Sequence, residues 1–272
     1  MSKVFVIDVA KCTGCYDCQL ACKTEHAGND WMPYTKPQPA TGHFWCKLEE
    51  HIQGKRPMLH YYYLSRRCNH CENPSCLGAC PKGAITKRED GLVEIDQSIC
   101  DGCKKCMAAC PYDAIYFNEE FNVAQKCTGC AHLLDNTDLV PRCVDACPTE
   151  TLKFGEKEDL IDLIEGAEVL MPETGNHPQV YYRNIPREFI GGTLYDPEKE
   201  EIIEGARCRL TQGPRGWDVY SDDFGDFKIQ DVPVGIYDLV ITAPGYELKV
   251  FEGIRLKESI ALGDIALTPI KK

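Results

Sequence analysis

The chain has 272 residues, 43% of them hydrophobic, which suits one or two globular domains with real cores and excludes a disordered tail or a fibre. Its formal net charge of -12 argues against a nucleic-acid surface, which needs a basic face. Eighteen cysteines far exceed the free-thiol needs of such a chain and leave disulfides or metal ligation. No apolar run approaches the roughly 20 residues that cross a bilayer, so no direct membrane insertion is expected.

The opening "MSKVFVIDVAKC" has no apolar leader before its first Cys, which favours metal ligation over a secreted disulfide scaffold. "KVFVID" reads as a short strand, followed by a first cysteine run: Cys12, Cys15, Cys18 and Cys22. A second predicted strand, "HYYYLSRRC", leads into Cys68, Cys71, Cys76 and Cys80. A third run is Cys100, Cys103, Cys106 and Cys110, and a fourth is Cys127, Cys130, Cys143 and Cys147. Runs one and three are spaced C-x2-C-x2-C-x3-C. The second widens one gap to x4 and the fourth to x12, but all four end in C-x3-C.

That spacing belongs to iron-sulfur chemistry, because a cubane needs four thiolates at the corners of a tetrahedron. Three come from a tight loop whose Gly, Asn or Asp residues let the backbone wrap the cluster; the fourth Cys is expected to start a helix. Zinc is the competing metal, but a zinc site has no use for the third Cys at x2 or for the Pro after the last Cys. An internal repeat agrees. "CLGACPKGAITKREDGLVEIDQSICDGC" and "CMAACPYDAIYFNEEFNVAQKCTGC" align as Cys-Pro, strand, turn, strand and next run, with Asp90-Gly91 as a hairpin turn. Four oxidised 4Fe-4S clusters with their thiolates would add roughly -8 of charge. Lys23, Arg66, Arg67, Lys82, Lys104, Lys105 and Lys126 lie beside the runs as candidate compensation.

Beyond the runs, the acidic "GEKEDLIDLIEGAEVL" predicts a helix and "MPETGNHPQ" a linker. Residues 188–272 then change character. "FIGGTLYD", "GARCRLTQ", "WDVYSD", "DFKIQD", "GIYDLVITAPGY", "LKVFEGIRL" and "LGDIALTPI" give about seven short strands separated by turn residues, the pattern of an antiparallel sandwich or barrel.

The phrases "VIDVAKCTGCYDC", "CNHCENPSC", "CDGCKKCMAACPYDAI" and "KCTGCAHLL" over residues 1–187 resemble the four-cluster electron-transfer subunits of the dimethyl sulfoxide reductase family. Those subunits partner a large molybdopterin catalytic chain carrying molybdenum or tungsten. The resemblance implies an α+β chain in which two interlocked ferredoxin-like two-cluster units precede the β-domain. It also implies four 4Fe-4S clusters held by crossed sets: Cys12, Cys15, Cys18 with Cys147; Cys127, Cys130, Cys143 with Cys22; Cys68, Cys71, Cys76 with Cys110; and Cys100, Cys103, Cys106 with Cys80. Partners are then the large molybdopterin subunit, in a heterodimer or larger complex, and a redox donor or acceptor. "SDDFGDFKIQDVPVGIYDLVITAPGY" resembles the transthyretin-like, carboxypeptidase-regulatory type of β-sandwich. A ferredoxin-like subunit carrying such a domain resembles the transhydroxylase small subunits of enzymes acting on hydroxylated benzenes. Relatives of that type have lost one ligand set, whereas this chain keeps all sixteen Cys, which fits a hydroxylase or reductive dehydroxylase exchanging electrons with an outside partner. The alternatives are a subunit of an arsenic, sulfur-oxyanion, polysulfide or sulfoxide oxidoreductase, and a β-sandwich binding module on a polyferredoxin. The expected compartment is cytoplasmic, with periplasmic co-export beside a signal-bearing partner as the alternative.

Other residues carry plainer readings. Cys46 and Cys208 are expected as small buried hydrophobes. His70 and His132 are either donors near a cluster or packing residues. Trp31 and Tyr34, in "WMPYTKPQP", fit a locally packed loop better than a partner anchor. No catalytic triad, phosphate loop or paired-carboxylate site is evident, so catalysis is expected on the partner chain.

Overall fold

The computed structural model describes residues 2–270. The chain forms two units: one runs to Glu50 and includes Tyr62–Ile185, the other comprises His51–Tyr61 and the chain from Pro186 onward. The fold is mostly β, and among the described residues the longest helix has only ten residues.

In the first unit, β1 (Lys3–Asp8) leads to α1 (Asp17–His26); β2 (Lys47–Lys55) pairs with β3 (Met58–Arg66), a hairpin whose outer part, His51–Tyr61, belongs to the second unit. Four residues of β1 in succession, Val4 to Ile7, are buried, because β1 is the middle strand of a three-stranded sheet. After α2 (Ser75–Gly78) come β4 (Ile85–Lys87) and β5 (Val93–Ile95), joined through Gly91 at φ 84°. After α3 (Lys105–Ala109) come β6 (Ile115–Asn118) and β7 (Val123–Lys126), a second hairpin of the same kind. Helices α4 (Ala131–Leu134) and α5 (Arg142–Asp145) precede β8 (Leu152–Glu156), α6 (Ile161–Ile164) and β9 (Val180–Arg183). β8 and β9 flank β1, antiparallel and parallel respectively, which brings the far end of this unit back to its first strand.

The acidic helix expected over 155–170 is only α6. Gly155 and Glu156 are taken into β8, and Gly166, at φ 74°, turns the chain one residue after the helix cap. With no residue of α6 buried, no apolar face supports a longer helix, and short helices are marginal without one.

The second unit contains β10 (Ile190–Asp196), β11 (Glu201–Ile202), β12 (Arg207–Gln212), β13 (Arg215–Tyr220), β14 (Asp226–Ile229), β15 (Gly235–Thr242), β16 (Lys249–Leu256) and β17 (Ile260–Ala266). β10 pairs with β11, β14 and β17, and a second sheet runs β13-β12-β15-β16. The alternation read in the sequence is visible in β12, where Cys208 and Leu210 are buried while Arg207 and Arg209 are exposed. Ile190, Leu194 and Phe227 from one sheet and Leu210, Leu239 and Ile241 from the other share one apolar core, and Cys208 lies in it as a small hydrophobe. The sheets are not wholly antiparallel as expected, since β17 runs parallel to β10.

Candidate iron-sulfur centres

Each cysteine run begins as a loop and closes on a short helix. The residue before the second Cys always has positive φ: Gly14 (72°), His70 (42°), Gly102 (74°) and Gly129 (65°). That left-handed step folds the loop back so that its thiols converge, and it explains the Cys-x-Gly-Cys pattern in three runs. The third Cys lies within the helix in every run: Cys18 in α1, Cys76 in α2, Cys106 in α3 and Cys143 in α5. One turn later Cys22 is still in α1, Cys110 caps α3, and Cys80 and Cys147 lie just past α2 and α5. This position corrects the expectation that the fourth Cys starts the helix, and it lets the last thiol point away from its own run.

Gly14 is also tightly packed. A Cβ there would lie 2.5 Å from the Tyr63 ring. Gly14→Ala is expected to cost about 1–2 kcal/mol for the left-handed backbone alone, and the contact adds to it. Purified variant protein should lose iron and melt lower than wild type; equal iron content and melting temperature would contradict this role.

Three cavities are each lined by four thiols. One is bordered by Cys12, Cys15, Cys18 and Cys147, a second by Cys68, Cys71, Cys76 and Cys110, and a third by Cys80, Cys100, Cys103 and Cys106. Each therefore mixes three thiols of one run with one from another. The remaining four sense one another as charges: Cys22 is influenced by Cys127 and Cys130, and Cys143 by Cys130. Burial raises several of these thiols. Cys71, with Cys68 and Cys76 beside it, is pushed up to about 12, as is Cys130, where Cys127 adds to the effect of burial. Cys106 is raised to about 11 by burial and then by Cys100. Four such thiols ionise together only if cationic centres lie among them, which is what an iron cluster supplies. Among the described residues no three His, Cys, Asp or Glu side chains converge on a single-ion site. A cubane differs from such a site in spreading its thiolates over four irons, one each.

Buried donors complete the donor chemistry. His70 is 1% exposed, and its Nδ1 accepts the Val93 N–H at 3.0 Å, leaving Nε2 to carry the proton. That Nε2 has no partner among the described residues, beside Cys68 and Cys71 in sequence. His26 Nε2 lies 3.9 Å from Cys130 Sγ. His132 instead holds Glu25 at 3.0 Å and stacks on Trp31, so it serves packing. The same loop is tied locally by Trp31 Nε1 donating to the Glu25 carbonyl and Tyr34 donating to Asp135.

The basic residues divide sharply. Lys23 donates to the carbonyls of Pro39 and Gly42, Arg66 pairs with Glu49, and Lys104 pairs with Glu119. Only Arg67 and Lys126 of the seven are buried. Arg67 donates to Cys143 Sγ at 3.1 Å, Cys46 Sγ at 3.4 Å and Ser65 Oγ at 2.5 Å. Lys126 donates to the carbonyls of Val93 and Cys127. Cys46 is thus buried as expected but is not a bland hydrophobe. Arg67 and Ser65 both reach its sulfur, at 3.4 Å each, and Arg67 ties it to Cys143. Sequence reasoning missed this role because Cys46 matches no ligand spacing; the one signal available was Arg67 immediately before Cys68.

Comparisons with known proteins follow the same division. A 4Fe-4S dicluster domain matches residues 59–157, and a carboxypeptidase regulatory-like domain matches residues 190–268. The chain is 39% identical to the pyrogallol hydroxytransferase small subunit of Pelobacter acidigallici, over 88% of this chain and 90% of that one. It is 34% identical to a subunit of the tetrathionate reductase of Salmonella typhimurium, over 68% of this chain and 73% of the relative. A chain of the anaerobic dimethyl sulfoxide reductase of Escherichia coli is 41% identical, over 46% of this chain and 60% of that one. Four cysteine runs folded around thiol-lined cavities, together with a relative 39% identical over 88% of this chain and another 34% identical over 68%, establish that this chain belongs to the family of iron-sulfur electron-transfer subunits of dimethyl sulfoxide reductase-type molybdopterin oxidoreductases.

Proposed function

We propose that this chain conducts electrons through four 4Fe-4S clusters to or from a separate molybdenum or tungsten bis-pterin subunit that acts on hydroxylated aromatic compounds. The observation that carries the reading is the crossed thiol lining of three cavities, each with three cysteines of one run and one of another. Bound clusters supply one-electron storage, and the chain's residues hold them, exclude water and set the charge around them. The ligand sets are Cys12, Cys15, Cys18 and Cys147; Cys127, Cys130, Cys143 and Cys22; Cys68, Cys71, Cys76 and Cys110; and Cys100, Cys103, Cys106 and Cys80. They make two interlocked ferredoxin-like units in a domain over 1–187, followed by a transthyretin-like β-sandwich over 188–272.

The sets follow one another in space. Cys76 and Cys106 share one buried cluster, Cys68 packs with Cys127 and Cys143 in another, and Arg67 and Ser65 link Cys143 to Cys18. The Cys68 and Cys127 sets are therefore inner. The two outer sets contain Cys15 and Cys103, whose residues are exposed, and these ends are where electrons enter and leave.

Hydroxylated aromatics are favoured over sulfur oxyanions because the likeness to the pyrogallol relative extends over 254 residues, against 193 for the tetrathionate relative. We place the complex in the cytoplasm, where such clusters are assembled. Purification from the native source tests the reading. A large co-purifying chain, molybdenum or tungsten, about sixteen irons from this subunit and turnover of a phenolic substrate are expected. Iron without either metal, or turnover of tetrathionate alone, would refute it.

A further inference from the structure

Arg67 lies in a different position from every other cation near the runs. It is 4% exposed, stands over the Phe5 ring at 4.8 Å, and directs its guanidinium to two sulfurs and one hydroxyl. Arg66, its neighbour, is partnered by the Glu49 carboxylate, whereas the hydrogen-bonding groups around Arg67 are Cys143, Cys46 and Ser65. Ser65 Oγ in turn approaches Cys46 Sγ at 3.4 Å and Cys18 Sγ at 3.8 Å. Arg67 immediately precedes Cys68 in the chain, yet it touches a thiol of the Cys127 set. Lys126, the other buried cation beside the runs, immediately precedes Cys127 and is 3% exposed, and its ammonium donates to the carbonyls of Val93 and Cys127.

We propose that Arg67 raises the reduction potential of the cluster held by Cys127, Cys130, Cys143 and Cys22. The inference rests on the ligand sets proposed above. Reduction adds one negative charge to a cluster, and a fixed cation bonded to a ligand sulfur in a water-poor interior stabilises the reduced form more than the oxidised one. Because Arg67 is carried by the segment that leads into the second run, it acts on a cluster that its own run does not open.

The test is an EPR-monitored redox titration of the native complex with its partner, comparing wild type with Arg67→Gln and Arg67→Lys. Iron is counted first, since a wild-type count well below about sixteen refutes the ligand sets rather than the tuning. In Arg67→Gln the signal that Cys130→Ser abolishes should fall by at least about 59 mV, a tenfold change in the one-electron equilibrium. The other three signals should move by less than half of that. Arg67→Lys, which keeps the charge but not the fork, should move the same signal less. Unchanged midpoints with full iron, or a uniform shift of all four, would overturn the proposal. Should Arg67→Gln bind too little iron, protein grown on guanidino-15N arginine decides: pulsed EPR must show 15N coupling to one cluster, lost in Arg67→Lys, and absence of that coupling counts against the proposal.

Discussion

Serine in place of Cys147 removes the same cluster as serine in place of Cys15, and leaves intact the one removed by Cys130→Ser. The expectation follows from the cavity in which Cys147 joins Cys12, Cys15 and Cys18, although its own run begins at Cys127. Cys147 lies past the end of α5, whereas Cys143, one turn earlier, faces Arg67. Each single variant should bring the iron content from about sixteen to about twelve per chain. Activity that draws electrons along the whole chain should fall by about 100-fold or more, since even partners outside the ligand shell are worth about 10–100-fold. Iron analysis and EPR of the reduced complex read both effects. Loss of the same signal from Cys147→Ser and Cys130→Ser would show that the runs close on themselves, and the interlocked arrangement would be abandoned.

The sixteen thiols were legible because their spacing is a covalent constraint: a loop of two residues between cysteines has few conformations that bring both sulfurs to one cluster. The hairpins between the runs were legible for a similarly local reason, as Asp90-Gly91 demands a turn between two β-branched stretches. What escaped sequence reading depends on groups that meet from distant parts of the chain. Cys46 has no motif of its own and gains its partners only when β2 and β3 set Ser65 and Arg67 against it. The burial of Arg67 and Lys126 was equally invisible, since five other basic residues flank the same runs and remain at or near the surface. The acidic helix failed because its charge pattern spoke for solvent exposure without any face to bury. The parallel pairing of β10 with β17 escaped because alternation fixes which face is inward, and does not say which strand lies alongside or in what direction.

Stripping the iron is expected to unfold the first unit and leave the second folded. In the first unit the main core cluster of eighteen buried residues includes seven cysteines, and a smaller cluster is built around Cys76 and Cys106. The elements there are short: α2, α4, α5 and α6 have four residues each, and β4 and β5 have three. Such pieces have little stability of their own and must be held by what they surround. Structural metal sites contribute on the order of 10–16 kcal/mol in small domains, which matches or exceeds a typical domain's net stability of about 5–15 kcal/mol. The second unit has a core of fifteen buried residues in which Cys208 is the sole thiol, and its strands reach eight residues. Hydrogen exchange followed by mass spectrometry, before and after oxidative removal of iron with a chelator, separates the two. Amides of β4 to β7 should exchange as freely as those of an unfolded chain, while β12 and β15 keep their protection. Retained protection in β4 to β7 would mean that the thiol-lined interior holds itself together, and that iron there serves conduction without carrying the fold.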